Sequence, residues 1–429
     1  MTTATTVPTR TPATSAPVVR LSWKTPIALA VFALLSVLLL VVFVRSGLSH
    51  MEFTPNVKGA VQLPLVNVPG APVEITIAIV ALVMAVLSGV LTWLQRKTPL
   101  WYIAIFAVLL VFGFLVWASA GLPRQLNITD LLTGAIAIST SLIFGALGGV
   151  ITERVGVVNV AIEGQLLMGA FMCAVASTLT GSFVVGIIAA ALAGVLVSFV
   201  LGVFAIRYAV NQVIVGVVLN LLVLGLTTFL YQEVLLANIP ALNSPPTIQR
   251  LPIPGLSLIP VIGPLFFDQN VIVYIMYVAV AAVTIGLFRT RWGLRLRAVG
   301  EHPQAADTVG INVARTRFWN VALAGVIVGV GGSSFTLGGV PFGANMTDGF
   351  GYIALAAVIF GGWHPIRATL AALLFGFTTY LQSSLASLDS PVPNDFLLML
   401  PYVVTILAVA GFVGRVRGPA ASGKPYIKS

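Results

Sequence analysis

Eleven predominantly apolar runs of about 18 to 25 residues constrain this chain more than any motif, because each is long enough as a helix to cross a hydrocarbon core about 30 Å thick. They lie at 26–44, 72–94, 100–120, 131–150, 155–179, 183–206, 213–236, 271–288, 319–337, 366–388 and 396–413. A backbone in oil must satisfy its own hydrogen bonds, so each run reads as a helix. The run at 352–360 is too short to cross. It is bounded by Gly338, Gly339, Pro341 and Gly343 on one side and by Gly361, Gly362 and Pro365 on the other, and reads as a half-helix. The fold expected is all-α and polytopic, with eleven full transmembrane helices and one half-helix.

With 58% apolar and 8% charged residues and a mean hydropathy of +1.05, an ordinary soluble domain is excluded. The net charge of +10 matters through its placement. With the N-terminus inside, 18 of the 22 Lys and Arg face the cytoplasm, and only Arg45, Lys58, Arg124 and Arg250 face out. This balance requires the half-helix to dip into the membrane. Otherwise 366–388 would run the other way and leave the basic C-terminus outside. Both termini are therefore expected in the cytoplasm.

The expected organisation is a disordered tail at 1–25, a three-helix block at 26–121, a core at 131–413 and a basic cytoplasmic tail at 414–429. The Pro- and Gly-punctuated stretch at 45–71 and the Pro-rich stretch at 237–270 read as loops, the second with a short interfacial piece. Cys173 is the only cysteine, which excludes an internal disulfide and a cysteine-based metal site. His50, His302 and His364 have no ligand spacing. There is no GxxxxGK(S/T) phosphate loop, no HExxH and no GxSxG elbow, so no catalytic residue is assigned and no enzyme activity is expected.

Two stretches remain that the spans do not explain. The longest charged segment, 289–317, holds six of the basic residues. Within it Pro303 suits a first helical position and Gly310 a stop, so Ala305, Ala306 and Val309 share one small apolar face. Flanked by Arg295, Arg297, Arg315 and Arg317, that face suits a groove on another protein; a basic loop anchored at the membrane surface is the other reading of these residues.

The second is 151–170. A regular helix from Arg154 places Glu163 about 13 Å into the core, where a charged carboxylate costs about 2.5 to 3.5 kcal/mol. Asn159 stands one turn below it and Gln165 close by. These groups border a polar path, or they form a structural cluster that locks a broken helix to its neighbour. Asn211, Gln212 and Asn220 are weaker candidates for the same path and read equally as interhelical hydrogen bonds.

The order of residues adds a resemblance. Gly293, Leu296, Arg297, Ala298, Val299, Gly300, Glu301, Pro303, Ala305, Ala306, Gly310, Ile311 and Val313 resemble the coupling loop of permease subunits in bacterial ABC importers, the branch for ribose-type sugars, branched-chain amino acids and nucleosides. Glu153, Arg154, Gly156, Val157, Val158, Asn159, Glu163, Gly164 and Gln165 resemble the same family, nearest the branch paired with nucleoside-binding lipoproteins. The likeness covers about 131–413.

It implies a multi-pass permease in a bacterial plasma (inner) membrane. Arg297, Gly300, Glu301, Pro303, Ala305, Ala306 and Gly310 would touch cytoplasmic ATPase subunits. Those subunits, and not this chain, would hold ATP and Mg. The further partners implied are a second permease (the same or a related chain), an extracytoplasmic substrate-binding lipoprotein and membrane lipid, with no nucleic acid. Asn159, Glu163, Gln165, Asn211, Gln212 and Asn220 would line the path. A nucleoside or nucleobase ranks first as substrate, then simple sugars such as ribose, then branched-chain amino acids. The alternative is a proton- or ion-coupled secondary transporter using Glu163, which would leave the helix after Pro303 without a task.

Overall fold

The computed structural model describes residues 23–42, 47–53, 65–122, 125–387, 395, 398–399, 402 and 418–427. The expected tail up to residue 22 and, apart from isolated residues, the expected span at 396–413 lie outside them, while Lys24 and Thr25, expected in the tail, already belong to the first helix. Eight helices among the described residues are long and apolar enough to cross a membrane. The molecule is mostly helical, and its cores form two compact units.

One unit comprises Met1–Ser46 and Gly70–Trp117. Its helices are α1 (Lys24–Val42), α2 (Gly70–Trp93) and α3 (Leu100–Ser119), meeting at Leu29, Ala33, Ala81, Ala85 and Phe106. The Tyr102 hydroxyl donates to the Met84 carbonyl (2.6 Å). The outward faces carry Ile79, Val83, Val86 and Val90, all exposed, as a helix surrounded by lipid requires.

The other unit comprises Gly47–Pro69 and Ala118–Ser429. The stretch expected as a loop at 45–71 contributes strands instead. β1 (Leu48–Glu52) pairs antiparallel with β2 (Val66–Pro69) and parallel with β3 (Leu126–Asn127). Asn127 then caps α4 (Ile128–Arg154) by accepting from the Asp130 N–H (3.0 Å). α4 is the buried centre of this unit.

Around it pack α5 (Ile162–Thr180), α6 (Phe183–Gly202), α7 (Gln212–Leu230), α9 (Val271–Arg289), α12 (Val313–Ser333), α13 (Phe350–Phe360) and α14 (Pro365–Ser387); the short α8 (Ile239–Leu242), α10 (Arg291–Glu301) and α11 (Pro303–Thr308) lie between them in the chain. α12 starts at Val313, earlier than expected, because the Asn312 side chain accepts from the Arg315 N–H (2.9 Å) and begins the helix inside the basic stretch. α6 and α12 touch backbone to backbone: a Cβ on Gly329 would lie 2.2 Å from the Ala190 carbonyl oxygen. Small residues here let van der Waals contact hold helices together where lipid offers no hydrophobic drive.

The Pro-rich stretch holds α8 and a two-strand pairing of β4 (Leu251–Pro252) with β5 (Asp268–Gln269). Asn243 fastens it to the segment after α12, donating to the Phe342 carbonyl (2.9 Å) and accepting from the Phe342 N–H (2.7 Å).

Candidate functional site

The helix expected to run on through 155–179 is broken. Between Arg154 and Ile162 the chain turns at Gly156 (φ +92°), and α5 starts only at Ile162. Backbone groups in this break would be costly in oil, and polar side chains satisfy them. The Val158 N–H donates to Gln212 Oε1 (2.7 Å), the Ala161 N–H to Asn159 Oδ1 (3.1 Å) and the Gly164 N–H to Asn220 Oδ1 (2.8 Å), while Asn220 Nδ2 donates to the Val160 carbonyl (2.9 Å). Asn159 Nδ2 donates to Gln165 Oε1 (3.1 Å), and Gln165 Nε2 donates to Ser198 Oγ (2.9 Å).

Glu163 meets a second broken element. Its carboxylate accepts from the Thr347 hydroxyl (2.6 Å), the Gly349 N–H (2.9 Å) and the Gly351 N–H (2.6 Å). These donors form the N-terminus of α13, where free N–H groups and the helix dipole favour an anion. Gly351 permits the approach, since a Cβ there would lie 2.3 Å from the Glu163 nitrogen. The carboxylate therefore joins α5 to α13.

Ile162 packs against Gly145 and Gly149, nine and five residues before Arg154 in α4, so the start of α5 lies about 8 to 14 Å from that end of α4 at 1.5 Å per residue. The chain comes to this level through the break and not along the expected regular helix.

Asn159, Glu163, Gln165, Gln212 and Asn220 are all buried and gather at the break. Asn211 does not join them; it is exposed and caps α7 by accepting from the Val213 and Ile214 N–H groups (3.0 and 3.3 Å). Ser198, Thr347 and Tyr352 complete the cluster and were not singled out in the sequence. The hydroxyl of Tyr352 accepts from Asn220 Nδ2 (3.1 Å). The half-helix boundaries were the available signal for Thr347 and Tyr352, and Ser198 gave none.

At the basic end of this unit the expected single short helix is two helices, α10 and α11. α10 is capped by Thr290, whose hydroxyl accepts from the Gly293 N–H (3.2 Å), and buries Leu296 and Val299. Gly300 rests on the end of α4, and Glu153 and Arg154 there bind Trp363 at the α13–α14 break: Trp363 Nε1 donates to Glu153, and Arg154 Nε donates to the Trp363 carbonyl (2.9 Å). Arg297 lies over the Phe288 ring (5.2 Å), which stacks on His364 (4.8 Å). Burial, then the charges of Arg367 and Arg154, push the His364 pKa below its ordinary value.

α11 begins at Pro303 and is followed by Gly310 at φ +86°. Its expected common face divides: Ala306 is buried, while Ala305 and Val309 are exposed, Val309 at 75%. Glu301 accepts from the Ala420 N–H (3.3 Å), and the Gly300 carbonyl accepts from the Ala421 N–H (2.9 Å). Arg317, expected to flank the loop at its surface, is instead buried and donates to the Lys424 carbonyl (2.9 Å). The segment 418–427 is thus laid across α10 and the start of α12.

Residues 131–409 match the family described as the permease component of the branched-chain amino acid transport system. The chain is 40% identical over 308 residues to a guanosine ABC transporter permease protein, NupQ, of Bacillus subtilis (70% of this chain, 96% of the relative). It is 42% identical over 302 residues to a nucleoside ABC transporter permease protein, NupC, of Lactococcus lactis (68% and 94%). A putative glucose ABC transporter permease protein of Haloferax volcanii, TsgC13, is 35% identical over 286 residues (65% and 85%). No solved structure matches the chain.

Proposed function

The chain belongs to the permease-component family of the branched-chain amino acid transport system, membrane transport subunits rather than enzymes, and from that premise we propose that it forms the translocation path of an ATP-driven importer for ribonucleosides. The substrate class follows the guanosine and nucleoside permeases, which it matches over nearly their whole length. Cytoplasmic ATPase subunits carrying ATP and Mg, a substrate-binding lipoprotein outside and a second permease complete this reading. So do eleven crossings, the half-helix α13 and both termini in the cytoplasm.

The observation that carries the mechanism is the continuity from α11 to Glu163. α11 leaves Ala305 and Val309 exposed, α10 rests through Gly300 on Arg154, and the chain after Arg154 leads through the break to Glu163 and α13. A push on α11 would reach the two broken elements through rigid contacts. ATP drives this only by binding the two arrangements with different affinity. Glu163 serves as the clamp between them in this scheme; three donors on its carboxylate favour that role over a proton carrier.

The test is uptake of radiolabelled ribonucleoside, ribose and leucine with and without this chain, before and after collapse of the proton gradient with ATP maintained. Ribonucleoside uptake that requires the chain and survives collapse is expected. Uptake lost on collapse would overturn the ATP-driven reading in favour of ion coupling.

A further inference from the structure

Asp348 lies between Thr347 and Gly349, both bonded to Glu163, and so shares its level, which the importer reading puts within the membrane. Unlike Thr347 it is exposed, and among the described residues no hydrogen bond or ion pair holds its carboxylate. Asn345 nearby is exposed as well, and both residues adopt left-handed backbone conformations (φ +55° and +37° for Asn345 and Asp348). A carboxylate exposed to lipid at this depth is costly, so this surface must meet water or polar partners. Tyr352 is 47% exposed, and its ring edge lies 3.9 Å from the Cβ position of Gly349.

We infer that Asp348, Asn345 and Tyr352 form a subsite on the water-filled path that takes a ribonucleoside, with the ribose hydroxyls on Asp348 and the base against the Tyr352 ring. Two carboxylate oxygens accept from vicinal hydroxyls, as acidic residues do with ribose, and a flat base stacks on an aromatic face. The same groups separate the alternatives. A free sugar leaves the ring uncovered, and a branched-chain amino acid brings a carboxylate that Asp348 repels. This inference rests on the importer reading and deepens it.

The experiment uses the complete transporter in proteoliposomes with the Asn345→Cys variant, which leaves Asp348 and Tyr352 in place, and the exposed Ala344→Cys as the second position should the first not assemble. Cys173, the only native thiol of this chain, is fully buried, and labelling is read on the band of this chain alone. A charged, membrane-impermeant methanethiosulfonate should label the new thiol, and saturating guanosine should slow labelling about tenfold, the change expected from about 1.4 kcal/mol of occupancy. No labelling would place the residue away from water, and labelling unchanged by guanosine would remove the ligand; either overturns the subsite. Failure of the unmodified transporter to import guanosine with ATP is a separate result, which overturns the importer reading and the subsite with it.

Discussion

The carbonyl oxygen of Arg154 stands where a side chain on Gly300 would begin: a Cβ at residue 300 would lie 2.0 Å from it. No real contact is that short, so α10 rests directly on the end of α4 because residue 300 has no side chain. The two motif-bearing stretches, more than a hundred residues apart in the chain, meet at this point.

Gly300→Ala should therefore lift α10 from α4. Overpacking of this kind costs about 1 to 3 kcal/mol. The expected outcome in proteoliposomes is ATP hydrolysis that continues while uptake falls about tenfold, the equivalent of about 1.4 kcal/mol in coupling. Equal loss of both activities would place the junction outside the coupling route.

Glu163→Gln replaces an acceptor-only carboxylate by an amide whose NH2 must face one of three donors. Bonds to a charged group contribute about 1.5 to 3 kcal/mol and a neutral one about 1 kcal/mol, so this variant should lose more stability than Thr347→Val. The reactivity of Cys173 with a thiol dye during heating reports it, because that thiol is fully buried in the folded state. A double variant losing less than the sum of the single losses would show that the two residues act together.

Val309 is 75% exposed and Ala306 is 3% exposed, although both were expected on one face of the short helix. Val309→Asp should leave the thermal midpoint unchanged and prevent co-purification with the ATPase. Ala306→Asp buries an unpaired charge and should lower the midpoint itself. Normal ATPase binding by the Val309 variant would move the docking surface elsewhere.

His364 has its pKa lowered first by burial and then by Arg367 and Arg154. A base whose folded pKa is depressed contributes stability that is present above its unfolded pKa, about 6.5, and lost as pH falls through the folded value. The midpoint of the natural chain should drop between pH 7 and lower pH by more than that of His364→Phe, which keeps the stack on Phe288. Parallel pH profiles would remove His364 as the cause.

Ending the chain before Gly418 removes the bonds from Ala420 and Ala421 to Glu301 and Gly300, and uncovers Arg317. Faster proteolysis within α10 and α11, at unchanged membrane insertion, is the outcome expected. Unaltered cleavage would show that the segment 418–427 adds nothing to the hold on these helices.

Several features were legible from residues in order. Apolar length set the helices, the glycines and prolines around 338–365 marked α13, and Pro303 with Gly310 marked α11. Local spacing did not reveal α10, whose cap at Thr290 and buried Leu296 and Val299 lie among arginines that read as a loop. The strands at 48–52 and 66–69 were hidden by Pro and Gly nearby, and the third strand, β3, joins β1 from about 75 residues further along the chain.

Composition by itself determined that this chain lives in a membrane, and two motifs determined its likeness to importer permeases, because hydrophobic length and residue order are properties of the chain alone. Only the tertiary structure decided what the polar residues do. Glu163 finds its donors 184 to 188 residues away, Gln212 and Asn220 serve a break in another helix, and Arg317 lies under a tail 107 residues further on. A buried polar group is settled by the partner that reaches it in space, and separation along the chain carries no trace of that partner.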